Sequence, residues 1–251
     1  MLLEGRNAIV YGGGGAIGEA IGAAFAREGA RVHLAGRTHE KLERAAEQIR
    51  ASGGQVETAE LHVLDEAAVD RHADAVAAER GRIDISINTI SLGEVFGTPL
   101  AEIGLADFEQ PVTTAVRSSF LTARAAARHM IARGSGVILT FGGYGDPLSD
   151  FYLGGFQIAL SAVDALRRQL AAELGPHGIR VLTIQSTGVP ETIPEGYEGR
   201  EEIAESIVAR TMLRRAATLE DVGNTAVFAA SDHAAAMTAT SLNLSCGAEV
   251  D

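Results

Sequence analysis

A run of four glycines is the stretch of this chain best suited to bind a phosphate. The segment reads Ile9-Val10-Tyr11-Gly12-Gly13-Gly14-Gly15-Ala16-Ile17-Gly18, so an apolar stretch leads into the glycines and a helical pattern follows them. Glycine lets the backbone turn sharply and approach a ligand closely, and the start of a helix presents free N–H groups and a positive dipole end. The segment predicts an anion site, for which a dinucleotide pyrophosphate is the favoured ligand.

The glycine spacing supports this interpretation. Gly13, Gly15 and Gly18 satisfy the pattern Gly-x-Gly-x-x-Gly between an expected strand and an expected helix. The alternative is a turn without a ligand between a buried strand and a helix. Consecutive glycines carry a large conformational entropy cost, which favours a functional reason for them.

Arg37 lies at the end of the second expected strand, where a dinucleotide site contacts the adenosine ribose. An NAD site places a carboxylate here, whereas a guanidinium offers a planar, charged fork that suits a 2′-phosphate. Arg37 therefore favours NADP(H), with NAD(H) or no nucleotide as alternatives. A solvated residue in the first turn of a helix is the other interpretation, and Thr38 is expected to cap that helix.

The elements that position these residues alternate along the chain. Apolar, β-rich segments lie at 6–11, 31–35, 55–63, 83–88, 136–141, 179–185 and about 240–244. Helical patterns lie near 17–28, 38–51, 66–80, 106–133, 152–175 and 219–230. This alternation predicts an α/β fold, a single-domain Rossmann-like doubly wound parallel sheet of about seven strands with helices on both faces. One domain is expected to span residues 1–251.

One long irregular stretch, residues 186–200, follows the sixth expected strand and is rich in glycine and proline. It is too long for a plain connector, and it leaves the carboxyl edge at which such sheets bind ligands. We expect the region 186–215 to act as a substrate loop or flap. A surface loop without a function is the alternative.

Composition limits the classes of function. The chain has 251 residues, 46% of them hydrophobic, which is enough for a large core. The formal net charge of −12 argues against nucleic acid and anionic membranes as partners, because both require a basic face. Cys246 is the only cysteine, so no intrachain disulfide can form. With no signal peptide or membrane span expected, the cytoplasm is the predicted location and small molecules are the expected ligands.

Further segments resemble short-chain dehydrogenases/reductases. These are Gly36-Arg37-Thr38, the run 64–69, the run 83–88 and the passage from Leu170 to Val181, which occur in the family's order and spacing. The likeness covers essentially the whole chain. It implies the family's fold, a nicotinamide dinucleotide, oxidation of alcohols or reduction of carbonyls, and a homotetramer.

The resemblance also assigns the cofactor residues. The family's Gly-x-x-x-Gly-x-Gly turn is matched with Ala16 in place of its middle glycine, and His62 stands where an acidic residue usually contacts adenine. Of the family's Asn-Asn-Ala-Gly, only Asn88 is retained, and Thr192 keeps the spacing of the threonine that binds the nicotinamide carboxamide. The implied cofactor-binding residues are Gly12, Gly14, Gly15, Ala16, Ile17, Gly18, Arg37, Thr38, His62, Val63, Asn88, Thr89, Ile90 and Thr192.

The catalytic positions differ from those of the family. Its members use a tyrosine acid/base whose pKa is depressed by a lysine, together with a serine and an asparagine. Alignment places Phe156 at the tyrosine, Leu160 at the lysine, Gly143 at the serine and Ala115 at the asparagine. Lys41 is the only lysine in the chain and lies by the adenosine half of the cofactor. A phenol is a poor base at neutral pH without a neighbouring cation, so the family's usual mechanism is excluded.

Other side chains could supply a proton. Tyr144 and Tyr152 are the weak candidates, with Tyr152 expected one helical turn before Phe156, and the catalytic residues are otherwise unknown. Asp146, Asp150 and His177 are further titratable groups, for which a solvated role is favoured. The expected substrate pocket comprises Gly143, Tyr144, Tyr152 and Phe156. The histidines and the cysteine show no metal-ligand spacing, so no metal site is expected.

Three arginines, Arg117, Arg124 and Arg128, recur at helical spacing in the segment 106–133. A solvated helix face is one interpretation. The resemblance implies the other, because this helix pairs with its copy in tetramers of such proteins, with Asp107 and glutamates as partners for the arginines. We therefore expect a homo-oligomer, specifically a homotetramer.

Two functions remain open at this point. The first is an NADP(H)-linked oxidoreductase of a small carbonyl or alcohol that uses a non-standard proton donor. The second is a catalytically inactive pseudoenzyme, either a nucleotide-binding sensor or an assembly scaffold, since a fold does not prove a function. Redox-neutral chemistry in an apolar pocket is a weaker third option.

Overall fold

The computed structural model describes residues 1–146 and 151–250. Its strands are β1 (Asn7–Tyr11), β2 (Arg31–Gly36), β3 (Gln55–Glu60), β4 (Ile85–Asn88), β5 (Gly136–Gly142), β6 (Ile179–Gln185) and β7 (Thr240–Asn243). They form one seven-stranded sheet in the order β3-β2-β1-β4-β5-β6-β7, in which every pair is parallel. The predicted doubly wound fold is confirmed, and its order reverses between β1 and β4.

The helices are α1 (Ala16–Arg27), α2 (His39–Ala51), α3 (Glu66–Arg80), α4 (Leu105–Arg133), α5 (Phe156–Leu174), α6 (Arg200–Ala209) and α7 (Leu219–Ala230). Short 3-10 segments lie at Gly175–His177, Pro190–Thr192 and Asp232–Ala234. None of the helices in the described ranges combines the length and hydrophobicity needed to cross a bilayer.

Two element boundaries differ from the predictions by three or more residues, and one helix was not predicted. The helix expected from residue 152 begins at Phe156, because Tyr152 and Gly154 adopt left-handed backbone angles, with φ of 47° and 56°. The strand expected to reach residue 63 ends at Glu60, since its neighbour β2 ends at the paired Gly36. Helix α6 was not predicted, because it buries no residue and so has no core periodicity.

The sheet is buried on both faces, which explains the apolar character of its strands. Along β1, Ala8 and Val10 belong to a core with α1, α2 and α7, whereas Ile9 and Tyr11 belong to a second core with α3, α4 and α5. Successive side chains of a strand point to opposite faces. β1 therefore joins the two cores at the centre of the molecule.

A polar cluster lies within the second core. Tyr11 Oη, His33 Nε2 and His72 Nδ1 are all buried and have no hydrogen-bond partner among the described residues. The Tyr11 and His72 rings pack edge to face, with centroids 6.0 Å apart. Burial, reinforced by the Asp70 carboxylate, raises the pKa of Tyr11. Burial also lowers the pKa of His33, and burial with the nearby His33 lowers that of His72 to about 4.

These histidines make the fold sensitive to acid. The pKa of His72 falls from 6.5 to about 4 on folding, so the unfolded chain binds a proton more tightly than the folded protein does. The free energy of unfolding is therefore unaffected by His72 above pH 6.5 and falls as the pH is lowered from 6.5 to 4. Over that window His72 alone reduces the free energy of unfolding by about 3 kcal/mol. We expect His72→Gln to flatten this pH dependence in urea unfolding curves. The exposed-histidine variant His177→Gln serves as the control, and an equal flattening in both variants would contradict the prediction.

Candidate active site

The glycine turn connects β1 to α1 and is closely packed on its inner side. A Cβ atom at Gly12, where φ is +87°, would lie 2.6 Å from Thr89 Oγ1 and 2.8 Å from Thr89 O. At Gly13 it would lie 2.8 Å from Leu34 Cβ, and at Gly14 2.9 Å from Lys41 Cβ. These positions require glycine, because real Cβ atoms do not approach other atoms so closely.

The outer side of the turn is open. Gly15 is the N-cap of α1 and Ala16 its first residue, and both are exposed. No side chain caps this helix. At this turn, the backbone amides of Gly14, Ala16, Ile17 and Gly18 donate to no acceptor among the described residues. Unpaired amides at the start of a helix fit a pyrophosphate, so the predicted cradle has the chemistry that its ligand requires.

Positive charge lies at the adenosine end of the cradle. Arg37 and Lys41 are exposed, and neither forms an ion pair or a side-chain hydrogen bond in the part of the chain that the structure describes. The prediction that the Thr38 side chain caps α2 is wrong: Thr38 occupies the N-cap position, but its hydroxyl forms no capping hydrogen bond. Two uncompensated cations therefore flank the start of α2.

An open recess of about 770 Å³ lies beyond the end of β3. His62 lines it and is exposed, and its Nδ1 accepts a hydrogen bond of 3.2 Å from the Leu64 amide. Val63 is instead 3% exposed and packs in the second core. Of this predicted pair, only His62 offers a side chain to a ligand in the recess.

The end of β4 is held by polar contacts. The Asn88 side chain donates to Ser118 Oγ of α4 at 3.0 Å and accepts from the Ile90 amide at 3.0 Å. The Thr89 amide and hydroxyl both donate to Tyr11 O, at 2.9 and 2.8 Å. Asn88 and Thr89 thus fix the chain where the cradle ends, and their side chains already have protein partners.

Thr192 lies beyond β6 in the 3-10 segment Pro190–Thr192. It is exposed, and its hydroxyl donates to Val189 O at 2.8 Å. Gly188, with φ of +135°, brings its backbone close to Ile207 of α6. The region 186–215 is therefore partly helical and packs at the carboxyl end of β6.

The residues that the resemblance assigns to the family's catalytic positions are apolar or glycine in this chain. Leu160 is buried, and its methyl groups would lie 3.3 Å from Cβ atoms at Gly142 and Gly143. Phe156 begins α5, and its ring packs edge-on against Phe96 with centroids 5.6 Å apart. Ala115 is 1% exposed within α4. No charged side chain stands at these positions.

The tyrosine candidates have different environments. Tyr144 follows β5 and is half-buried, whereas Tyr152 is 51% exposed. The prediction that Tyr152 lies one helical turn before Phe156 is wrong, because residue 152 lies in the loop ahead of α5. Asp146 and His177 are exposed, and Asp150 lies outside the described residues. Within residues 1–146 and 151–250, no three His, Cys, Asp or Glu side chains are grouped to hold a metal ion.

The arginines of α4 bind acids of the same chain. Arg124 contacts Glu66 at 2.6 Å and Asp70 at 2.9 Å, and Arg128 contacts Asp70 at 2.8 Å. The pairing with Asp107 was expected between copies of the chain, so it stays a prediction; within one chain, α3 supplies the carboxylates. Arg117 lines the recess.

The sequence interpretation missed the loop between β4 and α4. Phe96 of this loop contacts Phe156, and the Oε2 atom of Glu94 is buried without a partner among the residues that are described. Glu94 is the only titratable residue between Asn88 and Glu102. Its isolation in an otherwise neutral loop is the signal that could have identified it.

Comparisons of the sequence with known proteins identify relatives of this chain. A family model described as Enoyl-(Acyl carrier protein) reductase matches residues 14–249. The gluconate 5-dehydrogenase of Gluconobacter oxydans is 30% identical over 229 residues, which cover 91% of this chain and 89% of that protein. The D-threitol dehydrogenase of Mycolicibacterium smegmatis is 30% identical over 247 residues, 98% of this chain and 93% of that protein.

A solved structure provides the corresponding match in three dimensions. It is a 7α-hydroxysteroid dehydrogenase complexed with NADH and 7-oxo glycochenodeoxycholic acid, with a TM-score of 0.87 and 25% identity. The match covers 99% of this chain and 97% of that chain. The resemblance found in the sequence motifs is confirmed: the chain belongs to the short-chain dehydrogenase/reductase family.

Proposed function

We propose that this protein is an NADP(H)-dependent oxidoreductase of a small alcohol or carbonyl compound that uses a proton donor other than the family's tyrosine. One observation carries the proposal: an open glycine cradle with four unpaired amides lies beside two cations that have no internal partner. Phosphate oxygens would satisfy both the amides and the cations.

Residues of the chain would hold each part of the dinucleotide. The amides of Gly14, Ala16, Ile17 and Gly18 would bind the pyrophosphate. Arg37 would bind the 2′-phosphate, and His62 would lie by the adenine. Residues 88–90 and Thr192 border the nicotinamide half. When bound, the nicotinamide supplies or accepts a hydride, and the protein must position the substrate and move one proton.

The substrate pocket favours a ligand with an apolar part. We assign Phe156, its contact Phe96 and the buried Leu160 to this pocket, and none of these side chains can hydrogen-bond. The relatives are named for gluconate and D-threitol, which are rich in hydroxyl groups. We therefore infer a small alcohol or carbonyl with fewer polar groups, and we assign residues 186–215 as the flap that covers it.

The apolar catalytic positions favour a second candidate, an inactive nucleotide-binding sensor or scaffold. Without a lysine beside a tyrosine, the usual proton transfer has no group to perform it. Nicotinamide fluorescence titration with a panel of alcohols and carbonyls separates the two. Binding with turnover supports the oxidoreductase, whereas binding without turnover supports the pseudoenzyme.

We further propose a homotetramer located in the cytoplasm. The location rests on the absence of an intrachain disulfide partner for Cys246, which is compatible with a reducing compartment. The assembly rests on exposed apolar side chains of α4 and α5, namely Val116, Phe120, Ile131 and Ile158.

The cofactor preference depends on Arg37. Replacing this exposed guanidinium in Arg37→Ala removes a charged contact to the 2′-phosphate, so NADPH should bind about 10- to 100-fold more weakly, while NADH affinity stays the same. Calorimetric or fluorescence titration measures both constants. Arg133→Ala is the matched control, because Arg133 is an exposed arginine at the opposite edge of the sheet. Equal losses for both nucleotides would refute the NADP(H) preference.

The tetramer depends on the exposed face of α4. Phe120 is 43% exposed, and Phe120→Glu places a charge on the proposed contact, so a smaller species should form. Light scattering after size exclusion measures the mass. Leu2→Glu, at a side chain of similar exposure (42%), should leave the tetramer intact. A wild-type protein that elutes as a monomer would disprove the assembly.

A further inference from the structure

The loop between β4 and α4, residues 89–104, contains a buried carboxylate oxygen without a hydrogen-bond partner among the described residues. Glu94 Oε2 is shielded from solvent, and no donor in the described ranges hydrogen-bonds to it. Buried polar atoms in native proteins nearly always have partners, because an unpaired one is costly and a charged one more so. Such an exception at a ligand-binding edge indicates a functional role.

The loop leaves the sheet at that edge. Strand β4 ends at Asn88, beside the point where the strand order reverses, and doubly wound sheets bind their ligands at such points. The loop is then tied to the segment ahead of α5, because the Gly97 amide donates to Phe151 O at 3.3 Å and Tyr152 O at 3.2 Å. Glu94 lies between these two fixed points.

An aromatic contact joins the loop that carries Glu94 to the start of α5. Two residues along the loop, the Phe96 ring packs edge-on against Phe156 with centroids 5.6 Å apart. Phe156 stands at the position that the family resemblance assigns to the catalytic tyrosine. Glu94 is thus carried by the loop that covers this position.

Other titratable groups are less suited to the proton transfer. Tyr152 is 51% exposed and Asp146 is also exposed, so water reaches both, while Lys41 lies beside Gly14 at the other end of the cradle. A free carboxyl group is ionised at neutral pH, whereas a phenol needs a neighbouring cation to ionise. A carboxylate can therefore act as a base where the chain provides no lysine.

We propose that Glu94 binds the substrate hydroxyl and accepts its proton, an assignment that rests on the proposed oxidoreductase function. In alcohol oxidation the O–H bond breaks and its proton passes to the Glu94 carboxylate. The carbinol C–H bond breaks as the C=O bond forms, and an oxidised nicotinamide dinucleotide bound in the cradle would accept the hydride. In carbonyl reduction, protonated Glu94 returns the proton to the carbonyl oxygen.

A binding experiment tests Glu94 without turnover. Trifluoroethanol, an alcohol that resists oxidation, is titrated by calorimetry into the protein with and without NADP⁺. We expect the wild type to bind it and Glu94→Ala to bind it at least about 10-fold more weakly, because a charge-assisted hydrogen bond is lost. Glu102→Gln, at an exposed glutamate of the same loop, should bind it normally. Absent binding by the wild type, or equal binding by Glu94→Ala, would overturn the assignment.

Turnover provides the second test. With the best substrate of the panel, Glu94→Gln should lower kcat/KM by about 100-fold or more without changing nucleotide affinity, and added formate should restore part of the rate in Glu94→Ala. Full turnover by Glu94→Gln, or a loss confined to Tyr144→Phe or Tyr152→Phe, contradicts the assignment. A wild type that turns over no substrate yet binds trifluoroethanol through Glu94 contradicts the oxidoreductase function alone and retains Glu94 as a ligand-binding group.

Discussion

The close contact between Gly12 and Thr89 is the constraint on which the site depends. Thr89 donates two hydrogen bonds to Tyr11 O, and its side chain occupies the space that a Cβ at residue 12 would need. The two central strands are thereby joined where the strand order reverses. The glycine turn after β1 and the loop after β4 therefore both begin at this junction.

Around that junction, the two halves of the site differ in chemistry. The nucleotide half is polar and open, with free amides at the start of α1 and cations at the start of α2. At the carboxyl end of β5, by contrast, Leu160 packs against the backbone of Gly142 and Gly143. The proposed function follows from this difference: the polar half would bind the nucleotide, and a group outside the apolar half would move the proton.

The sequence predicts the fold well because its information is local. Strand periodicity, the glycine turn and the strand–helix alternation identified all seven strands and six helices. The first turn of α5 was misplaced because the left-handed conformation of Tyr152 is set by tertiary contacts. Helix α6 was not predicted because none of its residues is buried, so its sequence shows no periodic apolar face.

The site was predictable only in part. The cradle and Arg37 follow from short motifs, each of which contains its own chemical reason. Glu94 belongs to no short motif: the sequence shows only its isolation in a neutral loop, whereas its buried oxygen without a partner and the packing of the loop against Phe156 are seen in the structure. Such facts arise only when segments distant in sequence meet.

The scarcity of lysine has a practical consequence for studying this molecule. Lys41 is the only side-chain amine, and it is exposed beside Gly14 at the rim of the cradle. Apart from the chain's α-amino group, an acylating reagent would attach a fluorophore at this one position. A fluorophore attached to Lys41 would therefore report the binding of a ligand in the cradle.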